Sequence, residues 1–309
     1  MKSRIRASLS IGLALVMSFS FLASVPAVSA NQTVVPSDGY SYDASITITT
    51  FDRVLTIANR IIDNTWYNGP MDSMVKASNG DYLGFIREGT SHAAPGDYGA
   101  MKLYRSTNDA FDWSYNATLM NVSTRDVRNY ASGITDTGRV FVFFSIYDTD
   151  NGTWPNPLEY KYSDDDGATW SANATMIMPT LAGFVPTNTS LYGAGTFGGL
   201  RTIGGGKIGL CYFAGNNTNY TQTRFAYSAD DGVSWNHSVM GSITGPYPAT
   251  RSETDFAYLG DNKLVALSRE DNAPGPDMFT SVDNGVTWTF WGPLPFLLAG
   301  STSASMSIV

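Results

Sequence analysis

The chain has one cysteine, two histidines and a shortage of cations, with 19 Lys and Arg against 27 Asp and Glu in 309 residues. The lone Cys211 excludes an intramolecular disulfide, and its place in the apolar run Ile208 to Phe213 suits a buried small hydrophobe. His92 and His237 stand far apart without ligand-type spacing, so no metal centre is expected. A net charge of −8 makes nucleic acid or an anionic membrane surface an unfavourable partner. Beyond residue 30 no run of about 18 apolar residues occurs, so no spanning helix is expected. No Gly-rich loop joins a strand to a helix, which leaves nucleotides unsupported, and no cofactor is expected. Long helical periodicity is missing too, which points to an all-β chain.

The N-terminus has the pattern of an export signal. Lys2, Arg4 and Arg6 precede an apolar stretch from Ile11 to Leu22, and Val28-Ser29-Ala30 offers small residues for cleavage. Residues 1–30 are expected to be a signal peptide, with 31–309 a secreted or cell-surface domain. Loss of the three signal cations takes the charge from −8 to −11. Nine N-x-[ST] triplets follow, at Asn31, Asn116, Asn121, Asn151, Asn173, Asn188, Asn216, Asn219 and Asn236, and point to a glycosylated surface.

The pattern S-x-D-x-G-x-[ST]-W occurs three times: Ser163 to Trp170, Ser228 to Trp235 and Ser281 to Trp288. A worn copy runs from Ser106 to Trp113, and successive tryptophans are 57, 65 and 53 residues apart. Recurrence at this interval is the mark of a repeat architecture. Each copy reads as a hairpin in which Ser and Asp bond the turn backbone, Gly supplies a positive φ and Trp buries against the sheet. Upstream of each copy a turn feeds an apolar strand: Tyr82 to Ile86, Val140 to Phe144, Ile208 to Phe213 and Leu264 to Leu267. Units of four strands arranged radially make a β-propeller. Four complete blades are expected between about residues 69 and 296. Ser303 to Val309 echoes the first blade's opening and reads as the start of a fifth, and Tyr40 to Asn59 is expected to supply a closing outer strand.

In such a blade the start of strand one and the end of strand two share a face opposite the repeated turns. Unusual polar residues gather on that face: Arg87-Glu88-Gly89-Thr90-Ser91-His92 with Asp97, then Arg125-Asp126-Val127-Arg128, and later Tyr247, Arg251, Glu253, Asp255 and Arg269-Glu270-Asp271. An Arg at a strand end facing a carboxylate is suited to clamping an anion; the plainer alternative is a surface ion pair.

The repeated turns resemble the Asp-boxes of the sialidase superfamily, whose members normally have six blades. Glu253 to Arg269 resembles the sialidase segment in which a Glu opens strand one and an Arg closes strand two. Asn79 to Arg87 is similar to the first-blade segment, and Arg125 to Tyr130 to the second-blade entry. The resemblance implies that Glu253 polarises a tyrosine nucleophile and that Arg269 is one of three arginines binding the substrate, with Arg87, Arg128 and Arg251 further candidates. His92 stands where the family has its acid, and Asp97 or Asp72 are the alternatives. Met71-Asp72-Ser73 replaces the family's R-I-P arginine, so the sugar need not be sialic acid. The nucleophilic tyrosine and third arginine are expected beyond Val309, from an incomplete six-bladed chain; a compact five-unit closure is the alternative. The expectation is an exported, monomeric exo-glycosidase acting on terminal sugars of glycans. The competing expectation is a non-catalytic propeller that binds glycans or proteins, with Trp66, Tyr67, Trp154 and Trp291 available for stacking, and an assembly factor is the third.

Overall fold

The computed structural model describes the backbone of residues 29–34 and 42–47, and residues 73–90, 95–152, 158–176, 193–196, 198–216, 220–240, 251–270 and 276–294. Two compact units result, one within residues 1–55 and one from 56 to 308. In the first, β1 (Ser29–Val34) and β2 (Tyr42–Thr47) form an antiparallel hairpin. The sequence pattern of Tyr40 to Asn59 suggests a strand closing a blade; the described partner of β2 is β1.

The second unit is a succession of antiparallel sheets. The first holds β3 (Ser73–Lys76), β4 (Tyr82–Glu88), β5 (Ala100–Ser106) and β6 (Ser114–Met120). The next holds β7 (Asp126–Ile134), β8 (Val140–Tyr147), β9 (Glu159–Ser163) and β10 (Ala174–Thr175). In the third, β11 (Gly193–Thr196) and β12 (Arg201–Ile203) both pair with β13 (Lys207–Asn216), followed by β14 (Tyr220–Ser228) and β15 (Asn236–Val239). The fourth holds β16 (Arg251–Gly260), β17 (Lys263–Glu270), β18 (Asp277–Ser281) and β19 (Thr289–Pro293). Each sheet follows chain order, as blades of a propeller do. The turn from β16 to β17 is the two residues Asp261-Asn262, both at positive φ (50° and 61°), as a tight hairpin matched to strand twist requires.

In the first two sheets the second strand is packed on both sides, as is the long strand β13 of the third, which is why these residues are apolar without alternation; in β17 buried and partly exposed residues alternate. In β8 the two sets of side chains go to different neighbours, since successive residues point to opposite faces. Val140, Val142, Phe144 and Ile146 join Leu83, Phe85, Met101 and Leu103 of the preceding sheet. Phe141 and Phe143 join Ile208, Leu210 and Tyr212 of the following one. A third cluster couples Cys211 and Phe225 to Phe256, Leu264, Ala266 and Phe279 of the fourth sheet. The core is thus three successive interfaces, each built from side chains worth about 1.5–3 kcal/mol apiece on burial.

The repeated turns fasten these interfaces. Ser163 Oγ donates to Asp165 Oδ1 (2.7 Å) and accepts from the Gly167 amide (2.8 Å), while Asp165 accepts from the amide (2.8 Å) and hydroxyl (2.6 Å) of Thr169. The Ser228 and Ser281 copies repeat this arrangement. The residue after the box Asp lies at positive φ (Asp166 53°, Asp231 57°, Asn284 59°) and reaches back to the preceding sheet. Asp166 accepts from the Ser78 amide (2.8 Å), Asp231 from the Thr137 hydroxyl (2.8 Å) and Asn284 from the Gly204 amide (3.2 Å). The tryptophans point the same way: Trp170 meets Phe85 edge-on at 5.7 Å, Trp235 meets Phe143 at 5.8 Å and Trp288 meets Phe225 at 5.3 Å. The donors to Asp165 and Asp230, led by the Thr169 and Ser234 hydroxyls, bring both carboxyls down to about 2. Such fully committed carboxylates are structural.

Candidate functional site

The ends of β4, β8 and β17 and the starts of β7 and β16 lie on one face, because neighbouring strands run antiparallel. Arginines and carboxylates gather at these strand ends and in the loops beside them. Arg87, next to last in β4, is 2% exposed. Its Nε donates to Asp126 Oδ1 at 2.8 Å and its Nη2 to Asp97 Oδ2 at 2.7 Å. Burial pushes its pKa down, but hydrogen bonds and charge from Asp126 and Asp97 more than offset that and hold it above the ordinary value. Asp97 also accepts from the Thr90 amide (2.7 Å) and hydroxyl (3.0 Å).

Asp126, wholly buried at the start of β7, is the hub of this group. It takes Arg87 on one oxygen with the Gly99 amide (3.1 Å), and Arg128 Nε on the other at 2.8 Å. The Arg128 guanidinium lies 4.0 Å over the Tyr147 ring, a cation–π contact at the end of β8. Beside it Arg125 pairs with Asp148, whose carboxylate also accepts from the Asn151 side chain (2.9 Å) and amide (3.1 Å). Asp150 joins the neighbouring loop through the Gly96 amide (2.9 Å) and the Tyr98 hydroxyl (2.8 Å). The first two blades are therefore tied together at this face by charge, whereas their middles are tied by apolar packing.

The fourth blade presents a different pair. Arg269 Nη1 lies 3.1 Å from Glu253 Oε2, with side chains 33% and 13% exposed. This pair touches solvent, and the Arg87 group does not. Behind it the Ser268 hydroxyl accepts from Thr254 Oγ1 at 2.8 Å and meets Thr223 Oγ1 at 3.2 Å, linking β17 to β16 and β14. Deeper along β16 the buried Asp255 holds Arg201 of the third blade through both oxygens, one at 2.9 Å. That approach explains the glycine between β11 and β12: Gly198 has φ +91°, and a Cβ there would run into the Asp255 carboxylate.

The structure thus brings Arg87, Asp97 and Arg128 into one buried lattice and Glu253 with Arg269 into a half-exposed pair. Arg251 is placed by its backbone only, opposite Glu270. His92, Asp72, Trp66, Tyr67, Trp154, Tyr247, Asp271 and Ser303 to Val309 lie outside the described residues. Trp291 is 64% exposed on the outermost strand β19. Sequence reasoning missed the central place of Asp126 and the Arg201–Asp255 pair. Asp126 and Asp255 stood in polar stretches already singled out, while Arg201 had no signal beyond the glycines before it. Among the described residues no group of three potential ligands could hold a metal ion, and no helix is long and apolar enough to cross a membrane.

Comparison with known proteins adds to this geometry. Residues 96–304 match the family described as BNR repeat-like domain. A sialidase of Paraclostridium sordellii is 30% identical over 254 residues, covering 75% of this chain and 60% of that protein. A sialidase of Clostridium perfringens is 26% identical over 206 residues, covering 62% of this chain and 52% of that protein. The chain therefore spans less than two-thirds of either curated relative. Among solved structures, a Hadza microbial sialidase superimposes with a TM-score of 0.60 at 16% identity, over 82% of this chain and 52% of its own, which shows a shared fold.

Proposed function

This chain belongs to the BNR repeat-like family of the sialidase superfamily, and on that basis we propose that it forms part of an exported exo-glycosidase acting on terminal sugars of glycans. The observation that carries the proposal is the Glu253–Arg269 pair: a carboxylate and a guanidinium, 3.1 Å apart and both reached by solvent, at the strand ends where the resemblance puts a base and a substrate-binding arginine. In this reading Glu253 takes up a proton in the reaction and Arg269 orients both the carboxylate and the sugar. The Arg87–Asp97–Asp126–Arg128 lattice keeps the wall formed by the first two blades fixed. With Met71-Asp72-Ser73 in place of R-I-P, the terminal sugar is either sialic acid or a neutral or differently charged one.

The test is release of fluorogenic glycosides by the full-length protein and by Glu253→Gln, which preserves shape and removes the base. General-base catalysis is worth about 10²–10⁴-fold, so a fall of that size in kcat is expected. Unchanged turnover by Glu253→Gln would remove Glu253 from the mechanism. One observation favours the second reading, a propeller that binds without turnover: Arg87 and Asp97 are committed to buried partners rather than turned to solvent. Glycan binding with no sugar released, by wild type and variant alike, would establish that reading instead.

A further inference from the structure

The sequence contains 20 asparagines, and nine of them lie in N-x-[ST] triplets. The abundance of Ser and Thr alone accounts for roughly four. Five of the nine have described side chains, Asn116, Asn121, Asn151, Asn173 and Asn236, and all five are exposed. They differ in what their amides do. Asn151 Nδ2 donates to Asp148 Oδ2 at 2.9 Å, and Asn173 Nδ2 reaches Glu159 Oε2 at 3.3 Å. A sugar on either nitrogen would displace a bond to a carboxylate. Asn116, Asn121 and Asn236 make no side-chain hydrogen bond among the described residues. They also share a location: Asn116 lies in β6, Asn121 directly after it, and Asn236 opens β15, the outermost strands of the first and third blades.

We propose that Asn116, Asn121 and Asn236 carry N-linked oligosaccharides, forming a band around the outer rim; this rests on the export reading above. The donor is an oligosaccharide held on an isoprenoid phosphate lipid in the membrane crossed during export. The Asn side-chain nitrogen attacks the anomeric carbon, the bond from that carbon to the phosphate oxygen breaks, and the lipid phosphate departs. The amide gives up one proton and keeps the other. Asn116 and Asn236 lie toward the box end of their strands, clear of the strand-end face, and Asn121, at the far end of β6, lies at the outer edge of that face, on the strand farthest from β3. Asn151 follows β8 on that face, where an added sugar would crowd the Arg125–Asp148 pair, and it stays unmodified.

The test is made on protein purified from the cells or medium of its own source, with the N-terminus determined and each triplet peptide weighed before and after chemical removal of sugars. The expected result is an N-terminus near Asn31, sugar mass on the Asn116, Asn121 and Asn236 peptides, and none on Asn151 or Asn173. Processed protein with all three bare would overturn the proposal and leave the export reading standing. Equal occupancy at Asn151 and Asn173 would overturn the geometric selection. An intact residue 1–30 segment with no sugar would overturn both.

Discussion

Replacing Asp126 by Asn separates a buried charge lattice from an ordinary polar contact. The substituted amide keeps one oxygen for Arg87 and the Gly99 amide, but it sets an NH₂ group against Arg128 Nε, donor facing donor. Arg87 keeps its bond to Asp97, whereas Arg128 loses the carboxylate oxygen to which its Nε donates. Removing one partner of a buried ion pair costs about 3–5 kcal/mol, a large part of the roughly 5–15 kcal/mol that holds a domain together. With a urea slope of about 3 kcal/mol/M the unfolding midpoint should fall by about 1 M or more, read by the fluorescence of tryptophans such as Trp170 at the same interface. Asp97→Asn provides the comparison. It leaves Arg87 on Asp126, so its cost should be about 1–3 kcal/mol. The double variant Asp126→Asn with Arg128→Met removes the cation that would face the new amide and should be at least about 1 kcal/mol more stable than additivity requires. A stability for Asp126→Asn within about 1 kcal/mol of wild type, or a larger loss for Asp97→Asn, would refute the hub assignment.

Two further outcomes follow from the repeated turns. Asp165 and Asp230 have folded values of about 2 against an ordinary carboxylate near 4, so their stabilisation is complete above pH 4 and lost as the pH falls from about 4 to about 2. Thermal melts should therefore drop through that window, and Asp230→Asn should flatten the drop; a variant as acid-sensitive as wild type would contradict the assignment. Trp235→Ala removes the ring packed on Phe141, Phe143 and Tyr160 and should cost about 3–5 kcal/mol, with Trp235→Phe recovering part of it. A loss below about 1 kcal/mol would show that this ring does not join the second and third blades.

The fold was legible because its signals are local. A box from Ser163 to Trp170 sets its own turn, and the unbroken run Val140 to Phe144 can only be a strand covered on both sides. The Glu253–Arg269 pair was legible for a similar reason, since a two-residue hairpin brings the two ends of one segment together. What the sequence did not show depends on contacts between blades. Asp126 outranks its polar neighbours only because β4 lies beside β7. Arg201 and Asp255 meet across 54 residues, and Gly198 is explained only by the carboxylate that presses on it. The hairpin of β1 and β2 escaped because alternation marks a strand and is silent on its partner.

Each of the three later boxes grips the blade that precedes it, through a left-handed Asp or Asn on the earlier turn and a tryptophan on the earlier phenylalanine. The fastening therefore has a direction along the chain. A polypeptide delivered N-terminus first meets every new hairpin with its anchor already in place, so growth can proceed by accretion on a finished edge rather than by collapse of all the sheets at once. Pulled mechanically, each of the first three sheets should come free only after the box that follows it has let go.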